Sequence, residues 1–139
     1  GSPCRPYISD MKVQVEKANA FFYPVVMVTG DERDRHTDYF KSHPILIVEI
    51  LSESTAAFDR GRKFAAYRQL ESLQEYLLID PNDYSADCFR RDTAGHWVLY
   101  PFGPGEQVDL ASLNWSVPIA ALYEGVTVNP RLLSEEVQR

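Results

Sequence analysis

Thiols, imidazoles and positive charge are all scarce in this sequence. The 139 residues include two cysteines and three histidines. Cys4 and Cys88 are far apart and neither belongs to a Cys-x-x-Cys pair, which argues against a disulfide framework and against a zinc site built on thiolates. A reducing cytoplasm is the expected setting. His36, His43 and His96 do not have the spacing of a zinc-binding helix, and there is no Gly-x-Ser-x-Gly elbow, phosphate loop or dinucleotide fingerprint. His43 reads as a loop histidine before a proline. Lys and Arg number 14 against 20 Asp and Glu, a formal net charge of -6, so the surface as a whole is not a nucleic-acid footprint. Arg60, Arg62, Lys63 and Arg68 form a local basic group, read either as a solvated helix face or as a patch for an anionic partner. No apolar run approaches the roughly 20 residues that cross a bilayer, and no signal segment opens the chain. A soluble protein with no membrane partner is expected.

What is present is a hydrophobic content of 45%, enough for one domain with a real core. Met11, Val13 and Val15 alternate with polar residues across Asp10 to Glu16, the period of a half-buried strand. Phe21 to Thr29 reads as a second strand, joined to the first by a hairpin through Lys17-Ala18-Asn19-Ala20. Asp31 to Ser42 is polar and predicts a solvent-facing loop or short helix. Pro44 opens a third strand ending near Ser52. Asp59 is placed to cap a helix running to about Leu70, with Phe64 and Tyr67 on its buried stripe. Glu75 to Asp80 is another buried strand, so the strand, helix and strand predict a parallel pair. Tyr84 to Arg91 and His96 to Phe102 predict an edge hairpin, and Pro118 to Tyr123 a helix. Ser134 to Arg139 is a charged tail. Trp97 and Trp115 read as core or interface anchors.

One residue breaks this pattern. Glu49 lies inside the apolar run Pro44 to Leu51, and an ionised carboxylate in a buried strand needs a cation, a hydrogen-bond donor or a shifted pKa. Either Glu49 supports the fold beside a basic side chain, or it belongs to a functional site. Lys63 and Tyr67 are four apart on the following helix, hence neighbours on one face. Lys63 is either a snorkelling surface lysine or a partner for such a carboxylate. Asp10 on the first strand, the Pro24-Val25 step on the second, Glu49 on the third and Lys63 on the helix could converge. Acidic groups beside a lysine are the apparatus of metal-assisted phosphodiester hydrolysis.

Several segments together resemble one family. They are Ser9-Asp10-Met11-Lys12-Val13, Tyr23-Pro24-Val25-Val26-Met27-Val28, Ile47-Val48-Glu49-Ile50-Leu51-Ser52, Asp59-Arg60-Gly61-Arg62-Lys63-Phe64 with Tyr67-Arg68, and Ser72 to Asp80. The pattern, from Pro3 to about Tyr123, is similar to that of the Uma family of restriction-endonuclease-like proteins in the PD-(D/E)XK superfamily. The resemblance implies an α/β (α+β) fold with a mixed sheet flanked by helices and an added β-hairpin. It implies Glu49 as the third-strand acid. The lysine usual two positions later is Leu51 here, and its role passes to Lys63, positioned by Tyr67. Asp10 matches a recurrent family aspartate, so Glu49 and Asp10 would hold Mg²⁺ or Mn²⁺, with DNA as the substrate.

The departure is at the second strand, where the family reads Tyr-Pro-Asp and this chain reads Tyr23-Pro24-Val25. A valine cannot bind a metal. Weak metal affinity and weak or no endonuclease activity are therefore expected. Without a metal, Glu49 either pairs with Lys63 or carries a raised pKa, and the pair is the expected outcome. The family's longer N-terminal segment is not matched, and residues 1–139 read as a single domain lacking it. The alternative is a non-catalytic homodimeric or nucleic-acid-binding module, with Trp97, Tyr100, Phe102 and Trp115 supplying an apolar surface.

Overall fold

The structure, a computed structural model, describes residues 5–8, 12–18, 20–22, 24–35, 37 and 40–125. In chain order the elements are β1 (Arg5–Ile8), β2 (Lys12–Val15), β3 (Ala20–Phe22), β4 (Val26–Thr29), α1 (Glu32–Arg35), β5 (Phe40–Lys41) and β6 (Pro44–Ile50). There follow α2 (Ala56–Arg60), α3 (Arg62–Tyr67), β7 (Glu75–Asp80), β8 (Ser85–Arg91), β9 (Trp97–Phe102), β10 (Gln107–Leu110), β11 (Trp115–Pro118) and α4 (Ile119–Gly125).

A six-stranded mixed sheet runs in the order β1-β4-β6-β7-β8-β9. Its central strands β6 and β7 are parallel, with Glu49 opposite Leu78, and the chain between them carries α2 and α3. This is the predicted strand, helix and strand unit. Both strands are buried along almost their whole length because both sheet faces are covered, which is why they read as continuous apolar runs. One face carries Ile47, Leu51, Tyr76 and Leu78 and packs against Phe64, Tyr67, Val13 and Val15. The other carries Leu46, Val48, Leu77 and Ile79 and packs against Val108, Leu110, Ile119 and Leu122. The edge hairpin β8–β9 is found where the sequence predicts it.

The N-terminal half differs from expectation. The alternating segment pairs in a hairpin with β3, as predicted, but in a separate three-stranded sheet of order β3-β2-β5. In the main sheet β4 lies between β6 and β1, the latter an earlier strand that the alternation did not reveal. The predicted second strand is broken at Pro24 and Val25, so its two halves, β3 and β4, serve different sheets. Proline lacks a donor for the ladder, and a break there costs the least pairing. The predicted helix also starts earlier, at Ala56, and is interrupted at Gly61. A Cβ there would meet the carbonyl oxygen of Ala57 at 3.0 Å. The strands β10 and β11, which cover the second face, were missed. The charged tail Ser134 to Arg139 lies outside the described residues.

Two buried carboxylates anchor irregular chain. Asp34, in the polar stretch expected to face solvent, is 2% exposed. It accepts the Thr29 hydroxyl (2.7 Å) and the N–H groups of Ser42 and His43 (2.9 Å each), with His43 Nδ1 at 3.2 Å. Burial pushes its pKa up, yet these donors outweigh burial and hold it below the usual value. His43 is thus a structural loop histidine. Glu75, fully buried on β7, accepts from Arg90 Nε (2.7 Å), the N–H groups of Ala111 (3.0 Å) and Ser112 (2.8 Å) and the Ser112 hydroxyl. It clamps the turn between β10 and β11 onto the sheet. Glu75→Ala would take the carboxylate from Arg90 Nε and from two part-buried N–H groups, at a cost of roughly 3–5 kcal/mol. The urea midpoint should fall accordingly; an unchanged midpoint would show that the clamp contributes nothing.

Candidate active site

The site is built on the C-terminal part of β6. Alternation along β6 puts Ile47, Glu49 and Leu51 on the face that packs against α2 and α3, and Glu49 is 5% exposed. The helix lies over it because Phe64 and Tyr67 fill the core between helix and sheet. Phe64 stacks on Tyr76 at 5.0 Å between ring centroids, and Tyr67 meets Tyr76 edge-on at 5.3 Å and Phe22 at 5.1 Å. Each such pair contributes roughly 0.5–1.5 kcal/mol beyond area burial. That packing holds the Tyr67 ring still while its hydroxyl donates to Glu49 Oε2 at 3.1 Å. One turn earlier, Lys63 Nζ reaches the same oxygen at 3.3 Å. The predicted trio of Glu49, Lys63 and Tyr67 is therefore assembled, and Lys63, its side chain 15% exposed, is no snorkelling surface lysine.

A fourth member was misread. Asp59 does not cap a helix: it lies within α2, is 2% exposed, and its Oδ1 stands 2.9 Å from Lys63 Nζ. Its other oxygen accepts the Thr55 hydroxyl at 3.2 Å, and its backbone carbonyl accepts the Tyr76 hydroxyl at 2.9 Å. The signal was available in the sequence, since Asp59, Lys63 and Tyr67 are spaced by four and share a helical face. On the same sheet face, Asp87 on β8 pairs with Arg60 at 2.8 Å and holds the α2 end down.

Glu49 was expected either to pair with Lys63 or to carry a raised pKa, and it does both. Burial raises it above 4.5, and the lowering by the Lys63 charge and the Tyr67 hydrogen bond does not compensate; the nearby Asp59 raises it further. Burial and the Glu49 charge likewise push the Tyr67 hydroxyl up, so it stays protonated and remains a donor.

Other predicted residues fall elsewhere. Asp10 and His36 lie outside the described residues. Val25 is half-buried, and its N–H donates to the Val48 carbonyl at 3.1 Å, which puts an isopropyl group beside the Val48–Glu49 step. His96 is exposed and near Asp92. Trp97 packs edge-on against Phe64 at 5.5 Å, as a core anchor, whereas Trp115 is 49% exposed.

These side chains do not fit a divalent cation. Magnesium is held through carboxylate oxygens; here Glu49 Oε2 already faces an ammonium and a phenol, and Val25 has no oxygen to offer. Among the described residues no group of three or more His, Cys, Asp or Glu side chains could hold a metal ion. The arrangement can place a fixed ammonium against developing negative charge on a bound anion.

A family model described as "Uma2: Putative restriction endonuclease" matches residues 1–120. The chain belongs to this family. Two uncharacterised proteins of Synechocystis sp. (strain ATCC 27184 / PCC 6803 / Kazusa) are related to it. One is 34% identical over 126 residues, covering 91% of this chain and 66% of its own length; the other is 38% identical over 96 residues, covering 67% and 54%. The chain thus spans between about half and two-thirds of these relatives. A crystal structure described as "a putative nuclease belonging to DUF820", from Anabaena variabilis, is similar in fold, with a TM-score of 0.69 at 16% identity, over 87% of this chain and 68% of that one. The Uma2 fold predicted from the motifs is thereby borne out. No helix among the described residues is long and apolar enough to cross a membrane.

Because the folded-state pKa of Glu49 is raised, the folded chain holds its proton more tightly than the unfolded chain. The stability this gives is fully present below 4.5 and is lost as pH rises through the raised value. In urea titrations, wild type should lose stability relative to Glu49→Gln as pH climbs from 4.5 toward neutrality. A difference that stays constant with pH would mean that burial does not dominate at Glu49.

Proposed function

We propose that this Uma2 domain is a DNA-endonuclease-like module with a degenerate active site, capable of weak phosphodiester hydrolysis or none. The observation that carries this reading is the half-kept site: Lys63 and Tyr67 both contact Glu49, while the position where the family has an acid beside Glu49 is held by Val25. Asp10 is the remaining carboxylate that this reading assigns to the site. Lys63 would lie against the phosphate and steady its charge, and Tyr67 would keep Glu49 oriented. A Mn²⁺-supplemented cleavage assay on supercoiled DNA tests the reading. Wild type should cut slowly or not at all, and Val25→Asp should raise the rate at least tenfold. Equal rates for wild type, Glu49→Ala and Val25→Asp would remove Glu49 from any catalytic role.

A second reading is a non-catalytic module that binds a second copy or nucleic acid. It is favoured by the edge strand β9, whose consecutive Val98, Leu99 and Tyr100 are 38–46% exposed and uncharged. Light scattering should then give a dimer insensitive to salt, whereas DNA retardation that fades as salt rises marks nucleic-acid binding. A monomer that retards no DNA overturns this second reading.

A further inference from the structure

Asp59 and Lys63 form an arrangement that the family's second-strand acid does not explain. The Lys63 ammonium stands 3.3 Å from Glu49 Oε2 and 2.9 Å from Asp59 Oδ1, with the Phe58 ring centroid at 5.4 Å. It is thus enclosed by two carboxylates and an aromatic face, all attractive to a cation. The two acids come from different elements, β6 and α2. Asp59 is nearly sealed, its side chain 3% exposed, and Oδ1 makes no hydrogen bond of proper direction although the ammonium is at ion-pair distance. A buried carboxylate oxygen left without a directed donor is rare and needs a reason. Here it points at the Lys63 ammonium. The Thr55 hydroxyl donates to the other carboxylate oxygen and the Tyr76 hydroxyl to the backbone carbonyl, so Asp59 has holds besides Lys63.

We infer that Asp59 is a further carboxylate of this site and that the Lys63 ammonium occupies the place of a divalent cation between Asp59 and Glu49. The chain carries its own cation: a covalently held charge of +1 sits where a freely exchanging dication would need both carboxylates. It follows that wild type should take up Mn²⁺ poorly and that deleting the ammonium should open a site. The inference rests on reading Glu49 and Lys63 as the candidate active site, but it requires no cleavage. Binding is therefore measured on the protein alone, so failure of the nuclease assay and failure of this inference are separate results.

The experiment is titration with Mn²⁺ followed by the free-ion spin-resonance signal, with circular dichroism on every variant. Lys63→Ala and the longer, uncharged Lys63→Gln should each bind one Mn²⁺ at least tenfold more tightly than wild type. Adding Asp59→Asn to either should return the affinity to the wild-type level. Equal affinity in wild type and the Lys63 variants, or a gain that survives Asp59→Asn, overturns the inference. If both Lys63 variants fail to fold, amine labelling of the intact protein decides it. Lys63 should react at least tenfold more slowly than Lys17, whose side chain is 62% exposed, and Asp59→Asn should speed Lys63 selectively. Equal labelling of the two lysines, or no response to Asp59→Asn, overturns it.

Discussion

A carboxylate buried in the central strand of a sheet must be neutralised on the spot, and the ion pair from Lys63 to Glu49 is the interaction around which this half of the molecule is arranged. The crossover between β6 and β7 has to bring an ammonium within about 4 Å of the sheet. It does so by laying α3 flat on the face that carries Glu49, with Phe64 and Tyr67 as the packed stripe and Lys63 at its border. Gly61 lets α2 and α3 meet at a break, so that Asp59 at the end of one still faces Lys63 at the start of the other. Each of these features is local, and each is pointless without the charge beneath it.

The pair does not fully offset the burial of Glu49. Burial raises the Glu49 pKa even with Lys63 and Tyr67 in place, which means that desolvation outweighs what the partners return. Compare Glu75, equally buried on the other face, whose donors include two backbone N–H groups, a hydroxyl and a guanidinium. Glu75 is satisfied in the way of a structural carboxylate. Glu49 is held by a lysine and a phenol that share one of its oxygens, with no backbone N–H among the donors to that oxygen.

Much of this was legible beforehand. The runs Pro44 to Leu51 and Glu75 to Asp80 announce strands covered on both faces, and the helix between them requires a parallel pair. The spacing of four between Lys63 and Tyr67 places both on the carboxylate. Other parts were hidden for physical reasons. Asp34 lies in a stretch of charge that looks solvated, and only the turn that wraps Thr29, Ser42 and His43 around it makes it a core residue. The strands β10 and β11 are short, with buried Val108 and Leu110 too few to signal a period. Asp59 was read as a cap because Asp is favoured there, whereas its ion pair requires a lysine one turn later to be pulled inward.

By itself the sequence determined that Pro44 to Leu51 and Glu75 to Asp80 are buried strands with a helix between them, that Glu49 is a buried charge needing a partner, and that Val25 can offer a metal nothing. Those properties are set by residue type and spacing along a single element. Only the tertiary structure decided that β3 and β4 part company at Pro24, that a missed strand, β1, lies beside β4, and that Glu49 shares its cation with Asp59. Such choices depend on which elements meet across space. Pairing between distant segments leaves no local period in the chain, and the direction in which a lysine turns is settled by the charges it finds when the helix docks.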